Sequence, residues 1–495
     1  MPLRASQLGH RSWRRALRQR AVTRRLNYSR NPFDLGDTRL LDELKDRGLV
    51  AAITHPELRI HLKKPSCVYS GVDPSASSLH VGNLLPLITL LHFQSYGHKA
   101  LALIGGATGS IGDPSGRSTE RPPLSPSQLQ ENVAGISAQV HRFFSRGNEY
   151  ISERKFGKQR ATDPGTLEVL NNYDWFKNMG FLEFLRVVGK TARVSVMLAR
   201  DSVKSRMSTD QGISFTEFSY QLLQAYDFSI LYRDHRCRVQ VGGSDQWGNI
   251  VAGIEMIKRL QSDSGEGTEA AKGADGAFGL TIPLLTTSTG EKFGKSAGNA
   301  VWLDETRTPV SEFYQFFFRT ADEDVERYLK LFTFLPFDVI AKHMKKHDSN
   351  TKSRWAQYIL AQEVTELVHG RVALKRAQGS QDILYRRAPR DIKSTEVLDA
   401  FDGDHRLVRV SWKDIKGLPV TKIGTMFGLW KSRGEATKAV SKQRSVMITD
   451  RKIDDPRDEM IRGDLVDEHI AIIRWGVKHV LILYVDDAYP EESES

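Results

Sequence analysis

Apolar residues fall in short runs, each closed by glycine or proline and followed by helical spacing. Cys67-Val68-Tyr69 suits a buried strand that Gly71 and Pro74 end. Leu84, Leu85, Leu87, Ile88 and Leu91 then repeat at the spacing of an amphipathic helix. His80 and Gly82 therefore lie at a strand-to-helix turn. Free backbone N–H groups and the positive end of a helix dipole converge at such a turn, which suits phosphate. A residue as small as Gly82 lets a flat base or ribose approach the backbone.

The same grammar recurs along the chain. Residues 39–50 read as a short amphipathic helix stopped by Gly48. Ala100–Ile104 is a second apolar run, a parallel strand after the helix over 84–96. It ends in a glycine-rich loop, Gly105 to Gly116, that lacks both the Gly-Lys-Ser/Thr ending of a P-loop and the Gly-x-Gly-x-x-Gly of a dinucleotide fold. Thr108 and Asp113 border a pocket at that strand's carboxyl end, where open α/β sheets bind ligands. After Pro122, Pro123 and Pro126, the spacing predicts a helix over Leu129–Phe144. Residues 145–168 are polar and read as a loop or insertion, and Asn171 to Trp175 reads, on spacing alone, as a surface turn.

Ser214–Tyr232 predicts a helix in which Tyr220, Gln224 and Asp227 share one face among apolar neighbours. That stripe is either solvated or lines a slot for a polar ligand. Such a slot discriminates strongly, because an analogue lacking the polar group leaves buried partners unpaired. Arg238 to Asn249 repeats strand, glycine turn and helix start, with Asp245 and Gln246 in the first helical turn. Residues 261–277, rich in Gly, Ser, Ala and Glu, read as a flexible loop. Lys292-Phe-Gly-Lys-Ser296 follows Gly290; two lysines three apart in a glycine-hinged loop can close over a polyphosphate, though the spacing is also common on solvated surface.

Composition changes this picture in two places. The net charge of +11 suggests nucleic acid, yet nine arginines and no acid lie in residues 1–30, which leaves the remainder almost balanced. That arginine-rich, acid-free start reads as a mitochondrial transit peptide, the rival being a basic RNA-binding arm. The two cysteines, Cys67 and Cys237, are too few for a disulfide framework or a cysteine zinc site and read as small core residues. At 495 residues several domains are expected, and no apolar run approaches the ~18 residues of a membrane helix.

Seven blocks in fixed order carry a resemblance. They are Tyr69-x-Gly-x-Asp-Pro, His80-Val-Gly-Asn83, Gly112-Asp-Pro114, Asn171-Asn-Tyr-Asp-Trp175, Tyr220-x-x-x-Gln-x-x-Asp227, Gly242-Gly-Ser-Asp-Gln-Trp-Gly248 and Lys292-Phe-Gly-Lys-Ser296. Together the chain resembles the class I aminoacyl-tRNA synthetases, specifically tyrosyl-tRNA synthetases of the bacterial and mitochondrial type. The resemblance runs from about residue 38 to 380 and more weakly to 486. It implies an α/β fold: a Rossmann-like parallel sheet, then an α-helical domain, then an S4-like α+β RNA-binding domain. The expected boundaries are 1–30 transit peptide, 31–308 catalytic, 309–382 helical, 383–410 linker, 411–486 S4-like and 487–495 acidic tail.

The resemblance also implies roles. His80, Ser75 and Asn83 would meet the phosphates, with Lys292 and Lys295 over the leaving pyrophosphate. Ser70, Gly71, Asp73, Pro74, Gly82, Gly243, Asp245 and Ser296 would complete the ATP site, Asp245 on the ribose. Tyr69 and Asp227 would hold the substrate phenol; Asp113, Tyr220 and Gln224 its ammonium; Thr108, Asn172 and Gln246 would finish the pocket. Mg²⁺ would arrive with ATP, without a protein-ligated metal. The implied partners are L-tyrosine, ATP and tRNA(Tyr), with a homodimer in the mitochondrial matrix and no membrane. Three departures stand out: Asn83 for a second histidine, Phe293-Gly294 for Met-Ser, and Ser70 for cysteine. Between 411 and 452 ten basic residues face three acids, a fair phosphate-binding patch. Two alternatives remain at this level. One is tryptophanyl-tRNA synthetase, which shares both nucleotide signatures. The other is binding of structured RNA, group I introns included, through the polar segments 145–168 and 261–277.

Overall fold

The computed structural model describes residues 39–115, 119, 124–154, 164–210, 212–263, 276–288, 293, 295–296, 299–385, 388, 391–476 and 479–486. The transit-peptide, Lys292 and acidic-tail expectations lie outside these residues. Helix α1 (Arg39–Asp46) comes first. Six strands, β1 (Ala52–Ile53), β2 (Cys67–Val72), β3 (Lys99–Ile104), β4 (Leu167–Asn171), β5 (Cys237–Gly243) and β6 (Phe278–Ile282), form one sheet in the order β1-β6-β5-β2-β3-β4. All neighbours are parallel except the antiparallel pair β1–β6.

The apolar runs are strands because both faces of the sheet are covered. Alternation along β2 and β3 divides their side chains between two cores. Val68, Ala100 and Ala102 pack with α2 (Leu84–Ser95) and α3 (Pro126–Arg154). Tyr69, Leu101 and Leu103 pack with α4 (Phe215–Asp234) and α5 (Trp247–Asp263) through Phe228, Leu231 and Ile250. Tyr69 therefore faces the same side as α4. Cys67 and Cys237 are register partners on β2 and β5, free and buried, as small core residues.

Helix α3 runs ten residues beyond the stretch read as helical, so 145–154 is not a loop. Its end is drawn into a buried network: Tyr150 donates to Glu363, and Arg154 pairs with Glu363 and Glu366. These partners are far away in sequence, which is why local polarity read as a loop. Likewise Leu167–Asn171 is an edge strand, and Tyr173 begins a short helix, in place of a surface turn.

A hairpin, β7 (Lys295–Ser296) with β8 (Asn299–Ala300), leads to helices α6 (Val310–Phe318), α7 (Asp322–Phe332), α8 (Phe337–Ser349) and α9 (Trp355–Tyr385). Their apolar faces join the core beneath α2. Gly370, at φ 84°, breaks α9, and Arg146 of α3 donates to the Val368 carbonyl there at 2.9 Å. Within the segment expected as a linker, α10 (Ser394–Ala400) and β9 (Leu407–Val410) are regular elements that belong to the C-terminal unit. There β9 pairs parallel to β13 (His479–Val485) in a second sheet, ordered β11-β10-β12-β13-β9, with β10 (Val446–Ile448), β11 (Arg451–Lys452) and β12 (Ile470–Trp475). Helix α11 (Arg433–Ser441), capped by Ser432, packs on one face. No helix among the described residues is long and apolar enough to cross a membrane.

One buried charge ties the helices to the sheet domain. Arg47, just past α1, donates to the carbonyls of Thr333 (3.0 Å) and Leu335 (3.1 Å) and pairs with Glu43 at 2.8 Å. Glu43 also accepts from Tyr96 at the end of α2. Arg47→Ala leaves these acceptors buried without a donor. The expected loss is about 3 kcal/mol, read as a lower midpoint of the first transition in urea unfolding.

Candidate active site

Four parallel strands deliver their carboxyl ends to one place. Asp73 follows β2, Gly105 follows β3, Asn172 follows β4 and Ser244 follows β5. The sheet grows in opposite directions on either side of β2, toward β3 and toward β5, so this is the crevice where open α/β sheets hold ligands.

A hydrogen-bond chain crosses the crevice. Tyr220 donates its hydroxyl to Asp73 Oδ2 at 2.8 Å, and Thr108 donates to Asp73 Oδ1 at 2.7 Å. Asn172 Nδ2 donates to Thr108 Oγ1 (2.9 Å) and Asp227 Oδ2 (3.0 Å), while its Oδ1 accepts from the Ala107 N–H at 2.7 Å. Trp175 Nε1 donates to Asp227 Oδ1 at 2.8 Å. Gly105 and Gly106 are obligatory here: a Cβ at Gly105 would sit 2.1 Å from Asp73 Oδ1, and one at Gly106 2.2 Å from Asn171 Oδ1. On the other wall Gln246 Nε2 donates to Asp113 Oδ2 at 2.6 Å, and Asn249 Nδ2 donates to Gln246 Oε1 at 3.2 Å.

The polar atoms buried here without a partner among the described residues include the Tyr69 hydroxyl and Gln224 Oε1. Buried polar atoms are almost always paired, so these suit a polar ligand. Burial pushes the Asp227 carboxyl up to about 8, against the opposing pull of its Asn172 and Trp175 donors, and nearby Asp73 adds to the rise. Burial, then the Asp227 charge, holds the Tyr69 phenol well above its ordinary value. Both groups are therefore largely neutral at pH 7, able to donate as well as accept.

The turn after β2 is built around His80. Its N–H donates to Asn83 Oδ1 at 3.0 Å, and its Nδ1 accepts from the Gly82 N–H at 3.0 Å, a reciprocal cap on the helix start. An accepting Nδ1 leaves the neutral ring's proton on Nε2. Gly82 is required for a reason sequence did not suggest: a Cβ there would lie 2.7 Å from the His80 ring, whatever the ligand. Ser75 is exposed beside this turn, its N–H donating to the Asp73 carbonyl at 2.8 Å. Pro74 and Ser70 are buried and Gly71 is exposed. Asp245 is exposed, with its carboxylate folded over Gly243, where a Cβ would approach Oδ1 to 2.4 Å.

Of the lysine loop, Lys292 lies outside the described residues, and Lys295 and Ser296 are described only as strand β7. Phe293 shows how the loop is anchored. Its ring stacks on Phe332 at 5.1 Å and meets Phe316 and Tyr328 at 5.3 and 5.1 Å. Its carbonyl lies 3.8 Å from the position a Gly82 Cβ would take, so both glycine-bearing signatures adjoin. The residues brought together are thus Tyr69, Asp73, Thr108, Asp113, Asn172, Tyr220, Gln224, Asp227 and Gln246, with His80, Gly82 and Asn83 at the turn. The reading missed Trp175, whose place in a matched block was the available signal, and Trp302, which packs on His80. Among the described residues no three His, Cys, Asp or Glu side chains gather as a metal site.

A parallel sheet with a His-x-Gly-Asn turn and an adjoining lysine hairpin is the architecture of a class I synthetase. The family of class I tRNA synthetases (W and Y) matches residues 61–385. The mitochondrial tyrosine–tRNA ligase of Saccharomyces cerevisiae is 45% identical over 364 residues, 73% of this chain and 72% of that protein. The tyrosine–tRNA ligase of Flavobacterium psychrophilum is 39% identical over 453 residues, 90% of this chain and 99% of that one. A C-terminally truncated mitochondrial tyrosyl-tRNA synthetase from Aspergillus nidulans superposes with a TM-score of 0.64 at 34% identity, covering 76% of this chain and 99% of its own. The chain belongs to the class I tRNA synthetases, and within them to the tyrosyl-tRNA synthetases of the mitochondrial type.

The raised carboxyl has a measurable consequence. Below about pH 4 Asp227 is protonated folded and unfolded and costs nothing. From there to about pH 8 only the folded chain holds the proton, so stability falls as pH rises; above that the cost is constant. Asp227→Asn is expected to flatten this part of the stability profile between pH 5 and 8, measured by urea unfolding at each pH.

Proposed function

We propose that this crevice joins the carboxylate of L-tyrosine to the α-phosphorus of ATP, expelling pyrophosphate, and that tyrosine then passes to the 3′ end of mitochondrial tRNA(Tyr). The observation that carries the reading is the buried pair Tyr69 and Asp227 on the α4 side of β2, at the same strand ends as the His80 turn. A phenol both donates and accepts, and so satisfies both groups. The indole of tryptophan only donates, and would leave the Tyr69 hydroxyl without an acceptor.

The chemistry needs no enzyme nucleophile. A tyrosine carboxylate oxygen forms the bond to the α-phosphorus, and the bond to the bridging oxygen of pyrophosphate breaks. Catalysis is then positioning and stabilisation of charge on phosphate oxygens. His80 donates from Nε2 to a phosphate oxygen. Asn83 acts chiefly by capping the His80 N–H, with Ser75 exposed beside it and Lys292 and Lys295 over the pyrophosphate. Asp245 takes the ribose, framed by Gly71 and Gly243; Ser70, Pro74 and Ser296 shape the rest. Asp113 and Gln224 receive the ammonium; Tyr220 acts with them by holding Asp73. Mg²⁺ enters with ATP as part of the substrate.

The rest of the chain serves the tRNA step. Residues 411–486, joined by α10 and β9, form the S4-like tRNA-binding unit, with exposed Arg433 and Lys438 on α11 and Lys431 and Lys442 flanking it to meet phosphates. Residues 1–30 direct the chain to the mitochondrial matrix, and the relatives named above support that location. Two copies pair through the segment between β4 and α4 and the first turn of α4, where Phe181, Leu182 and Phe215 are 64, 79 and 69% exposed.

Amino-acid-dependent ATP–pyrophosphate exchange tests the activity. Tyrosine alone is expected to support it, and His80→Ala to slow it about 100-fold. Asp227→Ala is expected to lower kcat/KM for tyrosine by about 100-fold. Exchange with tryptophan would discard the pocket assignment and keep the nucleotide chemistry. Leu182→Asp is expected to shift the particle from dimer to monomer in light scattering; an unchanged mass removes this segment from the interface.

A further inference from the structure

Gln240 stands on the sheet beside the crevice and has no part in the site described so far. On β5 it lies between Val239 and Val241, whose side chains join the core of α2 and α3. Alternation therefore turns Gln240 to the opposite face, the α4 and α5 side. There it is the register partner of Tyr69 on β2, and Tyr69 is in turn the partner of Leu101 on β3. Register partners on adjacent strands point the same way, with backbones about 4.8 Å apart. Gln240 and Tyr69 are thus neighbours in one row.

Both carry a polar atom without a partner. Gln240 is 3% exposed, and its Oε1, like the Tyr69 hydroxyl, is buried with no hydrogen-bond partner among the described residues. The donors around them are directed elsewhere. Asn172 Nδ2 serves Thr108 and Asp227, and the Trp175 indole serves Asp227. The Tyr220 hydroxyl serves Asp73, and Gln246 Nε2 serves Asp113. A buried amide oxygen costs stability unless something donates to it. The fold alone gives no reason for one here, because a strand covered on both faces packs best with apolar side chains.

We propose that Gln240 is a specificity-determining residue for tyrosine: its Oε1 accepts the proton of the substrate's ring hydroxyl, while the Tyr69 hydroxyl donates to the same oxygen. The inference rests on this crevice holding tyrosine, as proposed above. A phenol oxygen has one proton and two lone pairs. Tyr69 uses one lone pair and Gln240 takes the proton. Asp227, largely protonated at neutral pH, donates to the second lone pair. Phenylalanine would leave both Tyr69 and Gln240 buried and unmet, so the acceptor works against the wrong ring as much as for the right one.

The test is ATP–pyrophosphate exchange on the full chain with tyrosine, phenylalanine and 4-fluorophenylalanine. Gln240→Leu, close in size and without an acceptor, is expected to lower kcat/KM for tyrosine about 20-fold, chiefly through KM. The values for phenylalanine and 4-fluorophenylalanine are expected to hold within about twofold or to rise, since neither ring has a proton to give. Gln240→Met carries the same expectations, so a folding defect in the leucine variant leaves the comparison intact. In a Tyr69→Phe background, Gln240→Leu is expected to add less than about threefold, because both partners act on one hydroxyl. Equal losses for tyrosine and phenylalanine, an unchanged tyrosine KM, or fully multiplicative effects in the double variant would each overturn the role of Gln240. Failure of the unaltered chain to exchange with tyrosine would instead overturn the reading of the crevice itself.

Discussion

One continuous hydrogen-bond chain, Tyr220–Asp73–Thr108–Asn172–Asp227–Trp175, holds the crevice together. It links β2, β3, β4 and α4 at a point where the backbone leaves regular structure and has no ladder of its own. Each member is satisfied by the next, which is what allows the buried Asp227 carboxyl and the half-buried Asp73 carboxyl to share one network. Asp227 meets the remaining desolvation by taking up a proton, its carboxyl rising to about 8. The chain also explains the small residues around it, since Gly105 and Gly106 leave the room that Asp73, Thr108 and Asn171 occupy.

The second half of the site hangs from the first by packing. Phe293, in place of the methionine of the family's lysine signature, is seated among Phe316, Tyr328 and Phe332 of the helical region. Its carbonyl passes beside Gly82, and the strap that follows the hairpin pairs with Leu79 and Val81. The helical region is thus more than an appendage: it is the wall against which the His80 turn and the hairpin are set. Arg47 and Glu43 fasten the same wall to the sheet from below.

Much was legible from local pattern. The strand-turn-helix corners at Tyr69–Asn83 and Arg238–Asn249 have the strands, turns and helix starts expected of them, because apolar runs and glycine breaks are local signals. The shared face of Tyr220, Gln224 and Asp227 follows from helical periodicity. Residues 145–154 and 167–171 were misread for the opposite reason. Tyr150 is buried and Arg154 half-buried against Glu363 and Glu366, some two hundred residues on, and β4 is an edge strand whose partner lies on β3. Nothing within reach of either segment announces those partners. The folded parts of 383–410 escaped notice likewise, since Ile383, Ile392, Val397 and Phe401 find their core against Ile470 and Ile482.

By itself the sequence determined the family, the order of its signature blocks and the residue types that line the crevice, because these are properties of spacing and chemistry along one chain. Tertiary structure alone decided which of them touch. It placed Asp73 between Thr108 and Tyr220, gave Gly82 to the His80 ring, and set Trp302 opposite His80 across more than two hundred residues. Contacts of that kind depend on how strands and helices close on one another, and no local spacing encodes them.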